Sequence, residues 1–103
     1  MPDGIRAAQV ADQIRDYLAA WIHMDYPGSL VSVTDVTLSP DLRQATVWVE
    51  AIRPEDERII KRLKQNSAKY THKLHRQLSK RSSPELRFMR DEGDIVTSLL
   101  SGQ

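Results

Sequence analysis

The chain has 103 residues, no cysteine, and a formal net charge of +1 from 15 basic and 14 acidic side chains. That length suits one domain with a modest core, and the missing cysteines exclude disulfides, a thiolate nucleophile and a cysteine zinc site. Neither a leader-like N-terminus nor an apolar run of membrane-spanning length is present, so the expectation is a soluble, cytoplasmic protein without a membrane partner.

The first expected element is an amphipathic helix over Asp3 to Met24. Ile5, Val10, Ile14, Tyr17, Leu18, Trp21 and Ile22 recur at helical spacing, and Asp12, Arg15 and Asp16 fall opposite. Asp25-Tyr26-Pro27-Gly28 ends it. Two strands follow. Val31 and Val33 alternate with Ser32 and Thr34, and the apolar phase then slips to Val36 and Leu38, which predicts a bulge near Thr34-Asp35. Ser39-Pro40-Asp41 is turn chemistry. The return strand, Gln44 to Ile52, puts Ala45, Val47, Val49 and Ala51 on one face, and the pair reads as an antiparallel hairpin.

Pro54 opens a long helical region in which Glu55, Asp56 and Glu57 complement the positive end of the helix dipole. Its inward stripe is Ile59, Ile60, Leu63, Ser67, Tyr70, Leu74 and Leu78. The stripe thins at Gln65-Asn66-Ser67, which predicts a break into two helices. Ser82-Ser83-Pro84 is the expected stop. A third strand, Glu85 to Arg90, places Leu86 and Phe88 on one face. A turn and a last helical turn or two, over Ile95 to Leu100, are expected in a short tail from about residue 91. This order makes one α+β domain over residues 1–103, with helices on one face of a three-stranded sheet.

Charge is strongly segregated along this framework. Residues 58 to 81 carry nine basic side chains and no acid, residues 1–57 sum to −6, and residues 82–103 to −2. On a continuous helix, Arg58, Arg62, Lys69, Lys73, Arg76 and Lys80 would share one outward flank of about 60°. A solvated helix face is the bland reading, and the absence of interspersed acids favours a polyanion. Such a ridge contacts phosphates by charge and reads little base sequence, which suits RNA recognised by backbone and shape. The candidate RNA-binding residues are Lys61, Arg62, Lys64, Asn66, Lys69, Lys73, Arg76, Lys80 and Arg81.

No catalytic constellation stands out. His72 and His75, among cations and without a nearby carboxylate, suit the basic surface better than a metal. The four scattered glycines make no phosphate loop. The expectation is no enzyme activity, catalytic residue, cofactor, metal or small-molecule substrate.

Two motifs make the reading specific. Val33-Thr34-Asp35-Val36, then Leu38-Ser39-Pro40-Asp41-Leu42-Arg43 and Ala45, resembles the hairpin signature of the ribosome-binding factor A family. Leu74, Leu78 and Arg81, followed by Pro84-Glu85-Leu86-Arg87-Phe88 and Asp91, stand at that family's spacing. Val10, Ala11, Gln13 and Ile14, and the segment from Asp25 to Pro27, are also similar. The resemblance spans roughly residues 5 to 100 and implies a type II KH-like fold with this element order. It further implies a monomeric ribosome biogenesis factor that binds 16S rRNA on the free, immature 30S small subunit. Such a factor assists late maturation of the 5′ end and decoding region, particularly in the cold. The family's Ala-x-Gly break aligns with Asn66-Ser67-Ala68, so its glycine is absent here. Gln9 and Thr71 stand where arginine is frequent, with Lys69, Lys73 and Arg6 supplying charge nearby. The rival readings are a general KH-like RNA-binding protein and an interaction module docking its basic helix on an acidic partner.

Overall fold

The computed structural model describes residues 2–78 and 83–92, with side chains from Ala7 onward. Its elements are α1 (Pro2–Asp25), β1 (Val31–Leu38), β2 (Gln44–Ala51), a 3-10 turn (Pro54–Asp56), α2 (Glu57–Gln65), α3 (Ser67–Gln77) and β3 (Glu85–Arg90). Strand order is β1-β2-β3, with β1 antiparallel and β3 parallel to the central β2. A parallel pair needs a crossover, and α2 and α3 supply it. This is the α+β, type II KH-like order expected from the sequence. The tail helix expected over Ile95 to Leu100 lies outside the described residues.

The two-residue period of the strands sets the core. Val33, Val36, Ala45, Val47, Val49, Leu86 and Phe88 are buried beneath the helices. Ser32, Thr37, Glu50, Glu85 and Arg87 are exposed. The bulge falls where the apolar phase slips, with the register shifting between Val33 and Asp35. Asp35 then accepts the Val36 amide at 2.8 Å, an internal partner where the ladder is interrupted. From α1, Ile14 and Leu18 are fully buried and Val10, Trp21 and Ile22 nearly so. Burial of this extent contributes about 1.5–3 kcal/mol per large apolar side chain. Tyr17 is half-buried and stacks on Trp21, centroids 5.4 Å apart.

The β1–β2 connection is built by its polar residues. Leu42 N–H reaches Ser39 O at 2.9 Å, and Asp41 accepts the Ser39 hydroxyl at 2.7 Å and the Arg43 amide at 3.1 Å. These bonds, the hydroxyl's first, hold the Asp41 carboxyl below its ordinary range. Leu42 carries φ 60, the left-handed residue that closes the loop.

The acidic run stands in the first turn, as expected, and its carboxylates take specific partners besides. None of its carboxylates caps the helix. Asp56, 3% exposed, accepts the Leu30 amide at 2.9 Å and Arg53 Nε at 2.9 Å, while Arg53 Nη2 donates to Gly28 O at 2.9 Å. The Arg53 bond and then the Leu30 bond hold the Asp56 carboxyl below its usual value. Asp56 is thus a clasp joining the start of α2 to the turn after α1. Glu57 pairs instead with Arg90 of β3.

The helix break also departs from the family's chemistry. Asn66 sits between α2 and α3 at φ −106, ψ 21, and Ala68 lies inside α3. The break uses the ordinary negative-φ bridge region, so no glycine is required. At its far end α3 closes at Gln77 and Leu78 is already extended (φ −108, ψ 159). The stop therefore precedes Ser82-Ser83-Pro84, because Leu78 turns toward the core instead of continuing the helix.

Tyr70 locks α3 to α1. It is 1% exposed, meets Phe88 edge-on at 5.6 Å, and donates its hydroxyl to Asp25 Oδ2 at 2.5 Å. Burial first, then the Asp25 carboxylate, pushes the phenol well above its ordinary 10.0. A raised phenol value means the folded state holds this proton more tightly. The associated stability is complete below pH 10 and declines as pH rises above it. Tyr70→Phe is expected to cost about 1–2 kcal/mol near neutral pH. It should also flatten the loss of stability above pH 10, as read by urea unfolding at a series of alkaline pH values.

Candidate nucleic-acid interface

The cations of the basic run fall into three sectors, two on α2 and one on α3. On α2, Arg58 and Arg62 stand one helical turn apart and line a cleft of about 330 Å³ with the Gly28–Ser29 turn and Arg53. Lys64 points to the opposite side of α2, lining a cleft of about 390 Å³ with Ser67 and β3 residues including Arg87. Lys61 and Asn66 are exposed.

The third sector is α3, where the cations are partly engaged. Lys69 Nζ lies 3.7 Å from Asp25 Oδ2, and Lys73 Nζ sits 4.8 Å from the Trp21 ring centroid. Both contacts reach α1, so these two side chains join the helices as well as charging the surface. Arg76 is exposed and donates to His72 Nε2 at 3.4 Å. Lys80 and Arg81 lie outside the described residues.

A groove runs along the seam between the helix break and β3. Ser67, Glu85 and Leu86 line both the Lys64 cleft and a neighbouring one of about 300 Å³ that contains Ala68, Thr71, His72 and His75. Thr71 has a structural task there, since its Oγ1 accepts the Leu86 amide at 2.9 Å on the free edge of β3. That bond satisfies an edge donor that would otherwise invite another strand. The histidines are exposed on the groove wall beside Arg76, consistent with an extension of the basic surface.

The arrangement can take up anionic backbone on α2, its flanking clefts and the break. It resembles no acid–base pair or nucleophile with an activating partner. The charge pattern of the sequence marks Arg62 and Lys64 but not Arg53 or Arg87. Arg53 joins the surface because the Asp56 clasp turns it against Gly28, a contact across 25 residues. Arg87 was legible only as an outward strand residue.

Comparison with known proteins agrees with this architecture. The family model for ribosome-binding factor A matches residues 6–95. The chain belongs to the ribosome-binding factor A family. Ribosome-binding factor A of Novosphingobium aromaticivorans is 35% identical over 101 residues, covering 91% of this chain and 75% of that protein. That of Rhizorhabdus wittichii is 37% identical over 100 residues, covering 88% and 76%. The crystal structure of ribosome-binding factor A from Thermus thermophilus superposes with a TM-score of 0.68 at 29% identity, covering 82% of this chain and 94% of that one. A solution NMR structure of a Thermotoga maritima protein gives 0.70 over 85% and 89%; at 24% identity this likeness concerns the fold alone. Among the described residues no helix is long and apolar enough to cross a membrane. Within the family frame, the departures at Asn66-Ser67-Ala68 and Thr71 have local explanations. The break is made without left-handed backbone, and Thr71 serves the sheet edge.

Proposed function

We propose that this chain is a ribosome biogenesis factor that binds 16S rRNA of the immature 30S small subunit and assists late maturation of its 5′ end and decoding region. It acts as a cytoplasmic monomer without catalysis, through the α2–break–α3 side. The observation that carries this reading is the unbroken cationic run from Arg58 to Arg76, free of acids, on helices belonging to the ribosome-binding factor A family. The names of the relatives, which are ribosome-binding factors, support the ribosome as the partner. About five phosphate contacts on single-stranded RNA would give a slope of log K against log salt near −3.5, from roughly −0.7 per contact.

Sucrose-gradient sedimentation of cell extract tests the partner. The protein is expected to co-migrate with free small subunits and to be absent from translating ribosomes. Recovery only in ribosome-free fractions would overturn the proposal and favour a general RNA-binding or protein-docking role.

A further inference from the structure

The Arg58–Arg62 cleft has a character distinct from the rest of the cationic surface. Arg53, Arg58 and Arg62 come from two segments and share a concavity of about 330 Å³ with Gly28, Ser29 and Asp56. Arg53 is held in place by its bonds to Asp56 and Gly28 O, so its guanidinium is fixed before any ligand arrives. A fixed guanidinium loses less freedom on binding than a free one. Among the described residues, Arg58 and Arg62 have no carboxylate within 4.0 Å, whereas Arg53 also lies 3.9 Å from exposed Glu55, which does not line the cleft. The lining residues therefore carry three guanidiniums against one carboxylate, two positive charges in excess.

That excess matches one kind of phosphate better than another. A phosphate monoester carries about −1.5 to −2 at neutral pH, whereas an internal phosphodiester carries a single negative charge. Guanidinium forks also suit phosphate oxygens in pairs. We propose that this cleft binds a terminal phosphate monoester, the phosphorylated end of an RNA strand or the phosphate of a mononucleotide. The RNA source rests on the RNA-binding reading above; the monoester site itself does not.

The test compares short single-stranded RNA of one sequence, labelled at its 3′ end and carrying either a 5′-phosphate or a 5′-hydroxyl, by fluorescence anisotropy. Wild-type protein is expected to prefer the phosphorylated end about tenfold, the effect of one added charge-assisted hydrogen bond. Arg58→Gln/Arg62→Gln should bring the ratio close to one, while Lys64→Gln, outside the cleft, should retain it. Using the ratio cancels the general loss of positive charge, and circular dichroism verifies that each variant is folded. Equal affinities in wild type, or an unchanged ratio in the double variant, would overturn an RNA-end site. Adenosine monophosphate alone, followed by the amide shifts of Gly28 and Ser29, tests the mononucleotide source. If neither RNA binds, the RNA-binding reading fails. Shifts caused by adenosine monophosphate in wild type but not in the double variant would still establish the monoester site. Their absence, with no RNA-end preference, overturns the site altogether.

Discussion

The triple variant Lys61→Glu/Arg62→Glu/Lys64→Glu is expected to weaken RNA binding by about 100-fold at about 0.1 M salt. Three lost phosphate contacts, each contributing a slope of roughly −0.7, amount to about two log units at that ionic strength, before any new repulsion. The salt slope should correspondingly shrink from near −3.5 to about −1.4. Filter binding across a salt series measures both quantities. All three side chains are exposed on α2, and none is among the ion pairs of the described residues, so the fold is expected to survive the change. The same reversal at Lys69 and Lys73 would be harder to interpret. Lys69→Glu would set a second carboxylate against Asp25, and Lys73→Glu would remove the cation from the Trp21 ring. Undiminished binding by the α2 triple variant would move the interface to α3 and the cleft that holds His72 and His75.

Phe88→Ala is expected to cost about 3–5 kcal/mol, measured by chemical denaturation. Phe88 is 2% exposed at the middle of β3, opposite Val47 of the central strand, and its ring meets Tyr70 of α3 edge-on. The substitution removes burial, leaves a cavity between sheet and helix, and loses an aromatic contact of about 0.5–1.5 kcal/mol. With total stabilities of domains at about 5–15 kcal/mol, such a loss removes a large share of the margin that keeps the chain folded. A near-neutral result would contradict the packing of α3 on β3. The lesser effect expected of Tyr70→Phe separates the hydroxyl from the ring, because that substitution retains the aromatic pair.

The contrast between the two ends of the long helical region shows how far sequence reasoning reached. Gln65-Asn66-Ser67 revealed the break because three polar residues interrupt an inward stripe, a local signal. The far end was misplaced. Ser82-Ser83-Pro84 looked like the natural stop, yet α3 closes at Gln77 because Leu78 turns toward the core. Asp56 keeps its expected first-turn position and gains a long-range role. Its position in an acidic run suggested dipole electrostatics, and its partners are Arg53 and the amide of Leu30, 26 residues earlier.

The sequence by itself determined the α-helices and strands of the described residues, the bulge at Thr34-Asp35, the buried faces of all three strands and the location of the cationic run. Each of these follows from periodicity, turn chemistry or composition, which act over a few residues. Tertiary structure alone decided that β3 pairs parallel to β2, that Lys69 and Lys73 lean on α1, and that Arg53 joins Arg58 and Arg62 at one cleft. Those outcomes depend on which surfaces meet when the helices close over the sheet. A linear count of charges cannot distinguish a cation held by a neighbouring helix from one open to a phosphate.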